Sequence, residues 1–445
     1  MEQNENFASM PKGFSLDQAI AEAERCLLCH DAPCSTGCPA GTDPGTFIRK
    51  LRLKNITGAI RTIKENNILG GACGVLCPAA RLCEQECCAT EISRPIEIAK
   101  IQRCLIEHSW DRGLKLLSAP EKNGSQVAVV GSGPAGLSCA AELAKRGCQV
   151  TIFEAHSEPG GVIRYGVPSY RYDADFFAHE LQEIKSLGVE IRCDAPIRGE
   201  GEAERLLQNG YAAVFLATGL WGAARLKPEV ADVDGLLSSV EFLASLRDGQ
   251  LEVLRDRIKG STVAVIGGGS VAIDCAESAA KLGARDVYLV YRRSFTQMPA
   301  EKSEQIEALE SGVHFLVLNQ PVDFVINHHR KIEAIRLVRT RLAETSGNGR
   351  RTPETIPGTE WVLNADIVIE AIGNRAVTDS SRWYPNVQVD GQRLIQTDSS
   401  TCRTSVEGIF AGGDIVRGPG LVVEAVQDGK TAARGIMEYL AGKEV

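Results

Sequence analysis

Residues 126–155 read QVAVVGSGPAGLSCAAELAKRGCQVTIFEA, and the fold turns on them. Val127 to Val130 is a short apolar run, the mark of a strand buried in a parallel sheet. Gly131, Gly133 and Gly136 follow in the spacing G-x-G-x-x-G. Good helix formers come next (Ala135, Ala140, Ala141, Leu143), and Gly147 is placed to end the helix. A second strand, Val150 to Phe153, stops at Glu154. Strand, glycine turn, helix, strand and acid in this order predict a dinucleotide-binding unit.

Each glycine has a physical task. One permits the tight turn, one lets backbone approach a pyrophosphate, and one lets helix pack on strand. The helix N-terminus then offers free N–H groups and the positive end of its dipole to phosphate. Glu154 is placed to accept hydrogen bonds from ribose hydroxyls.

Composition bounds the rest. A chain of 445 residues allows two or three domains with ample cores. A net charge of −8 argues against a general binder of nucleic acid or anionic membrane. No apolar run is long enough to span a bilayer, and MEQNENFASM lacks a signal-peptide pattern, so a cytoplasmic protein is expected.

Of 15 cysteines, ten fall between Cys26 and Cys104, which in a reducing compartment points to metal or redox chemistry. Residues 1–115 read as an α-helical domain. Ser15 and Gln18 form an S-x-x-Q capping box, Asp43 and Pro44 start a second helix, and Ile60 and Ile63 lie at helical spacing in a third. Cys26, Cys29, Cys34 and Cys38 read C-x2-C-x4-C-x3-C-P, followed by Cys73, Cys77, Cys83, Cys87, Cys88 and Cys104. Such runs with a trailing Cys-Pro hold [4Fe–4S] clusters. Zinc and a disulfide framework are the alternatives; the number of thiols and the lack of a histidine at finger spacing weigh against zinc.

After a linker at 115–125, the first dinucleotide unit continues past Glu154. Gly160-Gly161 makes another close backbone approach, and Arg164 and Arg171 could neutralise a pyrophosphate or be solvated surface charges. YAAVFLATG, 211–219, is a strand ending where open α/β sheets bind ligands.

A second unit starts at Thr262, with Gly267, Gly269 and Ala272 as G-x-G-x-x-A. Its second strand ends at Arg292 and Arg293 rather than at an acid. Arginine suits a 2′-phosphate, so the unit reads as nicotinamide binding with NADPH favoured; NADH with an exposed arginine pair is the alternative. Residues 345–358 are expected to be a loop between strands. ADIVIEAIG, 365–373, reads as one more buried strand, and GIFAGGD leads through Gly413 to Asp414, which could bond a ribitol or phosphate. The expected organisation is therefore α/β: two Rossmann-like domains after a helical one. The flavin domain is split, 125–240 and 365–445, around a nicotinamide domain at 241–364. Cys139, Cys148 and Cys275 form no redox pair by spacing and read as inert core. No catalytic acid or base is assigned, since hydride transfer needs alignment more than either.

RCLLCHDAPCSTGCPAGTDPGTFIRKL and KENNILGGACGVLCPAARLCEQEC closely resemble the N-terminal part of dihydropyrimidine dehydrogenases. The two dinucleotide units and AGGDIVRGPGLVVEAVQDGK carry the resemblance to the C-terminus. It implies two [4Fe–4S] clusters, one held by Cys26, Cys29, Cys34 and Cys87, the other by Cys38, Cys77, Cys83 and Gln102. Gln102 rests on the resemblance alone. FAD would lie at Gly131, Gly133, Pro134, Ala135 and Gly136, with Glu154, Gly161, Arg171, Gly413 and Asp414. NADP(H) or NAD(H) would lie at Gly268, Gly269, Ser270, Val271, Arg292, Arg293, Ala371, Ile372 and Gly373. The partner it implies is a separate catalytic subunit with FMN and iron–sulfur centres that reduces uracil or thymine. A glutamate synthase small subunit, another NADPH-dependent electron donor, and a zinc-stapled interaction protein are the competing readings.

Overall fold

A computed structural model describes residues 10–247, 249–345 and 351–442; the N-terminal residues 1–9 lie outside the described ones. The chain divides into two compact units, one of Ser9–Arg164, Tyr170–Leu220 and Ala376–Val445, the other built on Trp221–Arg375 with Tyr165–Ser169.

The cysteine-rich segment is helical, as expected: α1 (Leu16–Glu24), α2 (Pro33–Thr36), α3 (Pro44–Arg52), α4 (Ile56–Asn66), α5 (Gly70–Leu76) and α6 (Ile98–Asp111). Local chemistry sets the starts. Ser15 Oγ accepts the Gln18 N–H at 3.2 Å and Gln18 Oε1 accepts the Ser15 N–H at 2.8 Å, which closes the capping box. Asp43, in the left-handed region at φ +64°, takes the Thr46 N–H at 3.2 Å ahead of Pro44. Phe47, Ile48, Leu51, Ile60, Ile63, Ile101 and Leu105 interlock as one core. Burial of each such side chain stabilises by about 1.5–3 kcal/mol.

The same unit continues with β1 (Gln126–Val130), α7 (Pro134–Ala144), β2 (Gln149–Phe153), α8 (Val162–Tyr165), α9 (Ala174–Ser186), β3 (Glu190–Arg192), α10 (Glu202–Gln208) and β4 (Ala213–Leu216). The second unit holds β5 (Gly222–Ala223), β6 (Leu236–Ser238), α11 (Ser239–Arg247), α12 (Leu251–Ile258), β7 (Thr262–Ile266), α13 (Ser270–Lys281), β8 (Asp286–Tyr291), α14 (Lys302–Glu310) and β9 (His314–Val317). It goes on through β10 (Asn319–Ile326), β11 (Ile332–Thr345), β12 (Arg351–Thr355), β13 (Trp361–Asn364), β14 (Ile367–Glu370) and β15 (Asn374–Arg375). The chain then returns to the first unit with β16 (Ile409–Ala411), α15 (Asp414–Arg417) and α16 (Val422–Ala441).

The first unit's sheet has the order β16-β4-β1-β2-β3, all parallel, with Val127 opposite Val150 and Ala213. Helices α7 and α16 pack closely: Ser138 Oγ donates to the Val426 carbonyl at 2.8 Å. Gly429 meets the Ala135 carbonyl where any side chain would collide.

The second unit's parallel sheet has the order β6-β14-β7-β8-β9, with Ile367 opposite Val263 and Val368 opposite Leu236. This corrects the expected boundaries. Residues 365–375 and 221–240 belong with the second sheet, because β14 pairs between β6 and β7. Antiparallel pairing of β5 with β15 closes this unit at Gly222 and Arg375. The stretch 345–358 also differs from the loop expected: β12 pairs with β11 in an antiparallel side sheet that includes β10 and β13. Residues 346–350 of that stretch lie outside the described ones.

Candidate functional site

Cys26, Cys29, Cys34 and Cys87 line a single hollow, walled by Leu27, Ile48, Ile96 and Ile98. Burial, and then the neighbouring Cys26, Cys87 and Cys29, push the Cys34 thiol up to about 12. Thiols held protonated this way ionise when an electropositive centre neutralises them, so the donor set fits an iron–sulfur cluster. The Ile96 N–H reaches Cys87 Sγ at 3.4 Å, a contact of the kind that tunes cluster potential. Cys88, which the resemblance leaves outside both ligand sets, lines the same hollow.

A second group gathers Cys38, Cys77 and Cys83. A hydrogen bond with Cys73 and then burial raise the Cys77 thiol, with Cys38 and Cys83 adding to it. Burial also raises Cys83, helped by Glu84 and Cys38. Gln102 lies buried on α6, its Nε2 donating to the Gly70 carbonyl at 2.6 Å, which leaves Oε1 as its remaining acceptor. It is thereby tied to α5, whose C-cap residue is Cys77. Cys73, which the ligand sets implied by the resemblance leave out, is a direct neighbour of Cys77 and a rival fourth donor. Among the described residues no three His, Cys, Asp or Glu side chains are spaced for a single metal ion. Four thiols around one hollow match the ligand number of a [4Fe–4S] cluster.

In the first dinucleotide unit the three glycines meet different surroundings. Gly131, at φ +100°, lies against the Ala217 carbonyl, and Gly136 lies under the Gly131 carbonyl; a Cβ would collide at either. Gly133 instead faces open space within 4 Å, a cradle that a side chain would fill and a phosphate can occupy. Glu154 is buried, and it accepts the Ser132 N–H at 3.0 Å and hydroxyl at 2.5 Å, and the His156 N–H at 2.9 Å. A carboxylate offers about four lone-pair sites, so room remains for a ribose hydroxyl. Ser132 Oγ also accepts the Gly160 N–H at 2.9 Å, which brings the second glycine turn, with Gly161 against Gly133, onto the first. Pro134 and Ala135 open α7 beside them. Arg164 pairs with Glu158 at 2.6 Å, and Arg171 is half-buried.

Gly413, at φ +75°, and Asp414 begin α15. Burial raises the Asp414 carboxyl to about 6, opposed by the Gly420 N–H it accepts. Asp428, not singled out in the sequence, holds this loop: it accepts the Gly413 N–H at 2.9 Å and Arg417 Nε at 2.8 Å. Its position after the helix start gave no local signal.

In the second unit Gly267 packs on the Ala371 carbonyl and Gly268 on the Tyr291 ring, while Gly269 and Gly373 face open space. Val271 and Ile372 are exposed at this edge. Ser270 Oγ is engaged by Glu304 at 2.7 Å. The two arginines differ. Arg293 Nε donates to the Arg351 carbonyl at 3.0 Å, whereas the exposed Arg292 side chain has no partner among the described residues. Glu370, buried just before Ala371, accepts the Leu226 N–H at 2.6 Å and pairs with Arg225 at 3.2 Å, which anchors the strand end.

A family model described as pyridine nucleotide-disulphide oxidoreductase matches residues 125–429. A second, described as dihydropyrimidine dehydrogenase domain II, 4Fe-4S cluster, matches residues 3–114. The chain is 35% identical over 444 residues to the NAD-dependent dihydropyrimidine dehydrogenase subunit PreT of Escherichia coli, with 99% of each covered. It is 32% identical over 446 residues to the Escherichia coli glutamate synthase [NADPH] small chain, covering 98% of this chain and 94% of that one. With the NADP(+)-dependent formate dehydrogenase subunit beta of Moorella thermoacetica it shares 37% over 433 residues, 92% of this chain but only 60% of that one. Among solved structures, Mycobacterium tuberculosis FprA in complex with NADPH matches at TM-score 0.60 and 20% identity, over 72% of this chain and 85% of that one. Lactococcus lactis thioredoxin reductase matches at TM-score 0.52 and 19%, over 72% and 99%. These two likenesses speak to the fold. No helix among the described residues is long and apolar enough to cross a membrane.

Proposed function

Because the chain belongs to the pyridine nucleotide-disulphide oxidoreductase family and carries a 4Fe-4S domain of the dihydropyrimidine dehydrogenase type, we propose that it is the electron-input subunit of a dihydropyrimidine dehydrogenase. It oxidises NAD(P)H and supplies electrons to a partner subunit, with FMN and iron–sulfur centres of its own, that reduces uracil or thymine to the 5,6-dihydro form. The observation that carries this reading is that Cys26, Cys29, Cys34 and Cys87 surround one hollow, in the same compact body as the Gly131–Gly136 turn.

When bound, FAD supplies the exchange between two-electron hydride chemistry and the one-electron chemistry of iron–sulfur centres. The chain's residues provide position. Gly133 leaves room for a pyrophosphate, Ser132 and Glu154 fix the ribose edge, and Asp428 sets the Gly413–Asp414 loop. Gly269 and Gly373 leave room at the nicotinamide edge, with Arg292 free to meet a 2′-phosphate. Cys26, Cys29, Cys34 and Cys87 would hold one [4Fe–4S] cluster, and Cys38, Cys77 and Cys83 a second, with Gln102 as fourth ligand.

The test is anaerobic reduction of the iron-replete protein by NADPH and by NADH, with and without its copurified partner and uracil. Uracil-dependent reoxidation in the partner's presence is expected. A partner that consumes glutamine and 2-oxoglutarate instead would favour the glutamate synthase reading, for which the 32% identity over nearly the full chain is the specific support.

A further inference from the structure

Three consecutive residues of α16 do three different tasks. Asp428 holds the Gly413–Asp414 loop, and Gly429 lets α16 touch α7. Lys430 reaches out of this domain altogether. Its Nζ donates to the Ala40 carbonyl at 2.5 Å and to the Asn66 carbonyl at 2.6 Å. Asn66 is the last residue of α4, whose orphan C-terminal carbonyls favour a cation. Ala40 lies two residues after Cys38, in the loop where the Thr42 N–H meets Cys38 Sγ at 3.4 Å and Thr42 Oγ1 takes Asn67 Nδ2 at 3.2 Å.

Among the described residues the ammonium is anchored by carbonyl dipoles alone. Among the described residues no carboxylate lies within ion-pair distance of Lys430; nearby Glu142 is already engaged by Lys145 and Arg146. The half-buried ammonium is thus held beside the Cys38 loop; burial lowers its pKa from the ordinary lysine value, opposed by the charges of Glu142 and Cys38.

We propose that Lys430 is a positioning residue for electron transfer: it clasps the Cys38 loop to the flavin-domain helix and lends its charge to the metal centre that Cys38 would ligate. This rests on the reading of FAD and iron–sulfur clusters above. A cation beside a thiolate-ligated centre favours its reduced, more negative state, so Lys430 makes that centre the better electron acceptor.

The experiment uses the iron-replete holoprotein, Lys430→Arg, which keeps the charge, and Lys430→Gln, which keeps a donor without it. Cluster midpoint potentials are read by EPR-monitored titration, the 38–43 loop by amide hydrogen exchange, and the flavin by bleaching with NAD(P)H. Lys430→Gln is expected to move one cluster's potential negative by a tenfold equilibrium factor, about 59 mV for one electron. It should leave the other cluster and the bleaching rate unchanged and raise exchange at 38–43, while Lys430→Arg stays near the parent. Potentials unmoved in iron-replete Lys430→Gln, or both clusters shifting together, would overturn the proposal. If Lys430→Gln fails to retain iron, retention by Lys430→Arg supports the proposal and loss from both overturns it. A parent protein lacking iron and acid-labile sulfide would sink the cluster reading, and this proposal with it, by a different signature.

Discussion

The Glu180 carboxylate accepts the Tyr172 hydroxyl at 2.7 Å from deep inside the first unit. The same carboxylate takes the Gly71 N–H at 2.8 Å and the Ala72 N–H at 3.2 Å, so it satisfies orphan N–H groups at the buried start of α5, the helix capped at its far end by Cys77. A side chain of α9 thereby closes a helix of the cysteine-rich domain.

Glu180 should make stability depend on pH. Burial raises its carboxyl from 4.5 to about 7, with hydrogen bonds from Tyr172, Ala72 and Gly71 opposing and Glu183 reinforcing the rise. The folded state therefore binds more protons than the unfolded one between these values. The stabilisation is complete below about 4.5 and is lost as pH rises through about 7. Glu180→Gln, which mimics the neutral form, should flatten this slope by roughly 3 kcal/mol. Urea midpoints of parent and variant at pH 5 and pH 8 check it; equal slopes would remove Glu180 as the cause. Glu180→Ala should be destabilising at either pH, since it strands buried donors.

Ser132→Ala should weaken FAD retention. The hydroxyl joins Glu154 to the Gly160 N–H, so its loss frees the second glycine turn and a buried carboxylate oxygen together. One such buried hydrogen-bond pair amounts to about 1–3 kcal/mol, or roughly ten- to hundredfold in affinity. Fluorescence titration of FAD into deflavinated protein measures this. An unchanged Kd would mean that Glu154 orders the turn without Ser132.

These two residues also mark what the chain reveals of itself. The capping box at Ser15, the Asp43-Pro44 start and both glycine turns were legible because their causes lie within a few residues. Strand β14 was legible as a strand but not as a member of its sheet. ADIVIEAIG and YAAVFLATG have the same apolar character, and only the pairing of Ile367 with Val263 separates them. Glu180 and Lys430 gave no signal because the segments they tie down, at Gly71 and Ala40, lie 109 and 390 residues away in sequence. Asp428 sat in a quoted motif, but its role depends on how α16 folds back on the Gly413 loop.

Arg292 and Arg293 should part company on mutation. Arg292 is exposed and unengaged among the described residues, while Arg293 ties the end of β8 to the Arg351 carbonyl. Arg292→Ala should reduce the preference for NADPH over NADH by about one order of magnitude, the scale of one charge-assisted contact. Arg293→Ala should change both nucleotides alike, through the side sheet. Bleaching rates with each nucleotide decide; a preference lost only in Arg293→Ala would reverse the assignment.

The rival claims of Gln102 and Cys73 can be separated by iron content. Cys34 shares a hollow with Cys26, Cys29 and Cys87, so Cys34→Ala should lose about half of the iron and acid-labile sulfide if each cluster carries four irons. Cys77→Ala should lose the other half, since Cys38 and Cys83 are its neighbours. Cys73 donates no such role if Gln102 Oε1 completes the second group. Cys73→Ala should then keep its iron and its EPR spectrum, whereas Gln102→Leu, which leaves the Gly70 carbonyl without its donor, should alter the spectrum of one cluster only. The opposite pattern, iron lost from Cys73→Ala and an unchanged spectrum in Gln102→Leu, would make the hydrogen bond between Cys73 and Cys77 the trace of a thiolate pair and exchange the fourth ligand.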